Sequence, residues 1–418
     1  MRIWVSALIV ASTLMHGAIA AEERATAKGK VFDATGKPID HATVMVYSAG
    51  VRKGYSLFCP TCYTECGKRT LTDPEGNFAI AGLNPELLFN LLVVKDGYST
   101  EYINNVDPAN GPGSATLKPR PPIEDASRVL RGKVVDTQGK PQRDVLVEPH
   151  TVAYNESGRG TVGTFGPSGW TDSAAMTNEK GEFEMAFGKP AEEMTLLVAA
   201  RGMAPRLFSA PTGAERKNIT VTDGALIRGR LVYNGKPVAG AEVGLVPYYG
   251  AAVTSYPEVR IGTAEDGTFA ITNVPAGRVW SLYPKRESLA SRGIGAGLVA
   301  CETRDNGQEV NVGDIQLQPA YTLRGRVVLT DAKPIPPYMN VTLQQSDHVF
   351  DPQLLQIGPD GRFEFRGLPG GVYILTPAVR GYRLPDACRF CGFVEMLLNR
   401  DVNDFVIRME PEPAAVHK

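Results

Sequence analysis

Along most of the chain apolar and polar residues alternate with a period of two, which marks β-strands that bury one face. Ala42-Thr-Val-Met-Val-Tyr47 and Ala241-Glu-Val-Gly-Leu-Val246 are two such runs. The runs are short and are punctuated by turn residues, with 44 Gly and 31 Pro spread along the chain. No amphipathic helix longer than a turn or two stands out. The pattern predicts an all-β protein.

The same series of elements recurs four times. An opening strand reads Gly29-Lys-Val-Phe, Gly132-Lys-Val-Val, Gly229-Arg-Leu-Val and Gly325-Arg-Val-Val. A turn follows at Gly36-Lys37-Pro38, Gly139-Lys140-Pro141, Gly235-Lys236-Pro237 and, without the glycine, Lys333-Pro334. Farther on come TDPEGNF at 72–78, TNEKGEF at 177–183, TAEDGTF at 263–269 and IGPDGRF at 357–363. Each reads as a tight turn whose Gly supplies a positive φ and whose Phe enters the core. The opening glycines lie 103, 97 and 96 residues apart. Units of about a hundred residues with some seven short strands predict β-sandwiches. The expected division is 25–119, 127–223, 225–318 and 321–411, a tandem array of antiparallel Ig-like or transthyretin-like sandwiches. The stretch from Pro119 to Ser127, which opens with PRPP, reads as an extended linker, and the whole as a beaded rod.

The motif order G-x-V, G-x-P, A-x-V, T-D-x-x-G-x-F, L-P-x-G-x-Y resembles the carboxypeptidase regulatory-like domain. The fullest match is Gly361-Arg-Phe-Glu-Phe-Arg-Gly367-Leu-Pro-Gly-Gly-Val-Tyr373, with Val379-Arg-Gly-Tyr382 after it. The first unit matches through Gly76-Asn-Phe-Ala-Ile and Lys95-Asp-Gly-Tyr98, and the second and third match more loosely. The resemblance implies a transthyretin-like sandwich, also grouped with carbohydrate-binding-like folds. Such modules accompany metallocarboxypeptidases, occur in surface proteins and include glycan binders. A fold shared this widely does not fix an activity.

Residues 1–20 have the form of a signal peptide: Arg2, an apolar stretch from Ile3, and Ala18-Ile19-Ala20 at the end. The expected location is therefore secreted, periplasmic or cell-surface, in a compartment that favours disulfides. No later stretch is apolar enough to span a bilayer. A net charge of -1 leaves no electrostatic footprint for nucleic acid. No catalytic pattern is complete. None of the five histidines forms an H-x-x-E pair, and His348/Asp351 only approaches one. Gly166-Pro-Ser-Gly-Trp170 is not a nucleophile elbow, and Gly293-x-Gly295-x-Gly297 lacks the following helix of a phosphate loop. The acidic turns, Asp73/Glu75 and Glu265/Asp266, hold too few carboxylates for a calcium site. The expectation is a protein that is not an enzyme and carries no cofactor or metal.

The units differ most between the second strand and the TDxxGxF turn: Ala49 to Arg69, Tyr154 to Met176, Pro247 to Arg260 and Ser346 to Gln356. A constant frame with one variable connection is how sandwiches carry binding. The aromatics there, Trp170, Tyr248, Tyr249 and Tyr256, either stack on a ligand or pack back to pin the loop. The first connection holds FCPTCYTEC. Its CxxC precedes no helix, which argues against thioredoxin-type chemistry. The expected disulfides are Cys59–Cys66 and Cys388–Cys391, leaving Cys62 and Cys301 as thiols. The leading reading is a non-catalytic exported scaffold that binds carbohydrate or a surface protein. The alternatives are a spacer without a ligand, a peptidase accessory and a CxxC thiol–disulfide protein.

Overall fold

A computed structural model of the chain describes residues 24–413, apart from 55–59, 62, 64, 155–157, 162–171, 214, 249–255, 257, 347–351 and 386–391. The expected leader at 1–20, Cys59, Cys62, Cys388, Cys391, Trp170, Tyr249 and the pair His348/Asp351 lie outside the described residues.

The protein is a tandem array of β-sandwiches. In the first unit the opening strand Ala25–Asp33 lies between Asn77–Leu83, antiparallel to it, and Pro112–Leu117, parallel to it. The facing sheet runs Arg69–Leu71, Thr43–Val51, Leu87–Val94, Glu101–Val106, all antiparallel. This frame recurs around the opening strands Val129–Val135, Ala225–Tyr233 and Tyr321–Leu329. In each unit the pairing is antiparallel except that the closing strand runs parallel to the opening one. Each sandwich encloses its own apolar core. Among the described residues helix is confined to Arg286–Leu289 and two 3-10 turns.

Register explains why the repeat has the residues it has. The Phe of the turn motif stands directly opposite the opening glycine in every unit: Phe78↔Gly29, Phe183↔Gly132, Phe269↔Gly229 and Phe363↔Gly325. The ring lies over the glycine, so a Cβ there would fall 2.5–2.7 Å from its Cζ. The motif glycine has φ between +68° and +76°, and its carbonyl accepts from the opening strand at Val31, Val134, Leu231 and Val327. A side chain there would strike the carbonyl of that same residue. The motif Thr is buried and bonds in two directions. Thr72 Oγ1 donates to Ile39 O at 2.7 Å and accepts from Ala42 N at 2.8 Å, and Thr177 and Thr263 repeat the arrangement. In the fourth unit Ile357 fills that position with apolar bulk instead. The acidic turn residues cap their own turns. Asp73 Oδ1 accepts from Asn77 N at 2.7 Å, and Asp266 Oδ1 from Thr268 N at 3.0 Å. Further bonds from the Asn77 side-chain amide to Asp73, at 2.9 Å, and from the Thr268 hydroxyl to Asp266, at 2.6 Å, hold both carboxyls below the ordinary range.

The units do not form the beaded rod expected from the sequence. The first packs on all three others. Its outer sheet face meets the second unit in a mixed core of Met45, Leu92, Val94, Leu146, Ala174 and Met176. Tyr102 donates to Ser173 Oγ at 2.8 Å across this joint, and Arg120 of the linker donates to Glu184 O at 2.8 Å and pairs with Asp172. Arg24 joins Glu65 of the first unit to Glu287 of the third. Leu354 of the fourth unit packs on the first unit's core, and Lys53 Nζ lies 6.0 Å from the Tyr338 ring. Between the second and third units Leu197 and Leu207 extend the third core, and Asn273 donates to Gly202 O at 2.9 Å. The third meets the fourth where the Arg286 guanidinium sits 5.9 Å from the Tyr373 ring. Gly295 lies in this joint against Pro369, which gives the glycine-rich segment a packing role.

Candidate functional site

The variable connections are where the sequence places function, and their described parts are packed into the sandwiches or their joints. In the first unit the segment after Cys62 turns inward. Tyr63 is buried in the core and Glu65 is 3% exposed, with Arg24 Nη1 2.7 Å from its Oε1. Backbone bonds pin the rest: Ala49 N to Pro60 O at 2.8 Å, Gly67 N to Val46 O at 2.8 Å and Val46 N to Lys68 O at 2.8 Å. The FCPTCYTEC segment is thus stapled through its tyrosine and glutamate. Cys66 Sγ lies 3.5 Å from Pro60 O, and the other half of its expected disulfide lies outside the described residues. At the mouth of the same connection Arg52 grips Asp107 with two nitrogens, at 2.6 and 2.5 Å. That pairing holds the Asp107 carboxyl far below the usual range.

In the third unit the corresponding segment carries a buried ionic group. Glu258 receives Lys285 Nζ at 3.0 Å, Arg260 Nε at 2.7 Å and the Tyr283 hydroxyl. Lys285 is 1% exposed, a burial that is tolerable only because the charge is paired. Across the joint, burial pulls Lys68 of the first unit down, Glu65 opposing and Arg260 adding to the shift. In the second unit His150 sits on the strand Leu146–Tyr154. Both its ring nitrogens are shut from water with no hydrogen-bond partner among the described residues. Burial, and then the charge on Arg278 of the third unit, hold this imidazole below its ordinary value.

The aromatic expectation changes accordingly. Tyr256 is 4% exposed, packed 5.7 Å from Trp280 with the Arg278 guanidinium 4.9 Å from its ring. It serves the core of the third unit, and burial removes it from the ligand-contacting set. Tyr248 is half-buried, and its backbone N bonds Val279 O at 3.0 Å. Cys301 is a free thiol inside the third core, opposite Trp280, and burial pushes its pKa up to about 11. No three His, Cys, Asp or Glu side chains gather to hold a metal among the described residues. None of their helices is long and apolar enough to cross a membrane.

Sequence reasoning passed over two grooves. One, of about 710 Å³, runs along the fourth unit's opening strand and is lined by Arg324, Arg326, Arg362, Asn403, Asp404 and Phe405 among others. A second, of about 700 Å³, lies at the same place in the first unit, beside Lys28, Lys30, Thr70, Asp73, Asn77 and Phe78. The readable signal was a basic residue on each side of every opening glycine: Lys28/Lys30, Arg131/Lys133, Arg228/Arg230 and Arg324/Arg326.

The fold and its joints define a tandem β-sandwich repeat protein. No family model and no curated relative matches the chain. Among solved structures it is similar to a streptococcal ancillary pilin, at 16% identity over 68% of this chain and 99% of that one, with a TM-score of 0.24. The major pilin subunit of Bacillus cereus matches at 11% identity over 71% and 100% of the two chains, TM-score 0.19. Two B repeat units of the collagen-binding protein of Staphylococcus aureus match at 13% identity over 93% and 100%, TM-score 0.19. Scores this low do not equate the chain with any of them.

Proposed function

We propose that the protein is an exported, non-catalytic scaffold whose four sandwiches are held as one body and present a binding surface for carbohydrate or a cell-surface protein. The observation that carries this reading is how the variable connections are used. Tyr63, Glu65, Tyr256 and Glu258, all within them or at their ends, bind the sandwiches internally or to each other. Such a disposition suits a rigid presenter of surface. The motif order, which resembles the carboxypeptidase regulatory-like domain, fits an accessory or binding role in the same way.

Glycan-array binding and partner capture with the mature chain test the proposal. A saturable glycan or protein ligand supports it. Failure of both leaves the spacer as the better account. Catalysis of insulin reduction by the mature chain would instead point to the cysteine motifs as a redox site.

A further inference from the structure

The fourth unit breaks a rule that the other three keep. On the outer face of each three-strand core, the second basic residue of the opening strand stands opposite a residue of the turn strand. In the first three units the pairs are Lys30↔Asn77, Lys133↔Glu182 and Arg230↔Thr268. Arg230 is also met by Asp314 at 2.7 Å. In the fourth unit the pair is Arg326↔Arg362. Like charges directly opposite one another destabilise a sheet. Asp360 lies 3.4 Å from Arg362, but that carboxylate is 62% exposed and the guanidinium 82%. Arg326 forms no ion pair or side-chain hydrogen bond among the described residues. The third arginine of the groove is satisfied: Arg324 donates to Asn403 Oδ1 at 2.9 Å and to Glu364 Oε1 at 2.8 Å, and Arg366 holds the same carboxylate.

We infer that this groove binds an acidic saccharide, with Arg326 and Arg362 taking its oxyanion. The inference rests on the carbohydrate side of the proposed function and gives it a site on the sheet, away from the variable connections. Guanidinium forks match carboxylate and sulfate geometry, and an anion between them removes the repulsion that the empty pair carries. A cavity of about 710 Å³ is far larger than one oxyanion needs and falls in the range of sites for small organic ligands. The rest of its lining suits a sugar ring. Gln356, Asn403 and Asp404 offer planar donors and acceptors for hydroxyls. Asp404 is an acceptor here and works against a bare anion, which favours a ligand carrying hydroxyl donors with its charge.

The test is calorimetry of the full mature chain with oligogalacturonate, heparin oligosaccharide, neutral galacto-oligosaccharide, inorganic sulfate and poly-glutamate. The variants are Arg326→Gln and Arg362→Gln, both at exposed positions. Oligogalacturonate is expected to bind, and each variant to weaken it roughly 10- to 100-fold, the worth of a hydrogen bond to a charged group. Melting temperatures of both variants should equal or exceed that of the wild type, because the opposed pair has gone. Binding of heparin alone, with the same arginine dependence, makes sulfate the source of the charge and upholds the site. The inference is overturned by absence of acidic-saccharide binding, by binding that survives both substitutions, or by equal affinity for the neutral oligosaccharide, sulfate or poly-glutamate. An array signal that persists in both variants sinks this site and leaves the scaffold reading standing.

Discussion

Tyr63 is the residue in which the cysteine motif and the core meet. Its ring occupies the first core, so Tyr63→Ala should cost about 3 kcal/mol, as large-to-small core changes do. Chemical denaturation of the mature chain reads this directly, and a loss under about 1 kcal/mol would mean that the ring does not staple the loop. Cys301 is a free, buried thiol. Buried, with its pKa at about 11, it should stay inert to alkylation at pH 8 until the third unit unfolds. His150 makes stability depend on pH. Burial and Arg278 depress its proton affinity, while an unfolded chain binds that proton near pH ~6.5. Its contribution is therefore full above about pH 6.5 and is lost as pH falls through the lower, folded value. Urea midpoints at about pH 5 and pH 7.5 should differ less in His150→Gln than in the wild type. An unchanged pH difference would contradict the burial of the ring.

At the scale of elements, the repeat is a device for seating an aromatic ring on a bare backbone. Gly132→Ala should force the Phe183 ring out of place and cost about 1–3 kcal/mol, the usual range for overpacking. In the Phe183→Leu background the same substitution should cost less, because the atoms it strikes are gone. Additive effects in that double-mutant cycle would argue against the ring-over-glycine contact. This level was largely legible in the sequence. Period-two alternation located the strands, and the repeated order of opening glycine, turn and phenylalanine marked the units, although the 38 to 51 residues between that glycine and that phenylalanine did not show that the two meet. The parallel closing strand was not legible, because a parallel and an antiparallel neighbour place the same residues inward. The Arg326↔Arg362 pair was missed for a related reason: it exists only once the register is known.

At the scale of the molecule, the joints were half-visible. The strand Leu87–Val94 reads LLFNLLVV, apolar on both faces in its second half, where a sandwich open to water would alternate. Leu92 and Val94 face outward from the first core and meet Leu146 and Met176 of the second unit. That run was the signal that another domain covers the sheet. The polar joints carry no such mark. Arg24, Glu65, Lys68, Arg260 and Glu287 look in sequence like solvated surface charges, and only the fold brings them together. Leu92→Ala should accordingly cost about 2–5 kcal/mol although it removes nothing from a sandwich interior. A cost within about 0.5 kcal/mol in denaturation would place the residue in solvent.

The claim on which the account depends most is that the first unit binds the other three into a single body. Small-angle X-ray scattering of the monomeric mature chain measures this without mutation. A compact particle of about 400 residues has a radius of gyration of about 21 Å, and the packed arrangement should lie near that value, somewhat enlarged by its four-lobed outline. Domains strung end to end would give roughly twice as much. A radius near the larger figure would contradict the joints and return the protein to a string of independent sandwiches.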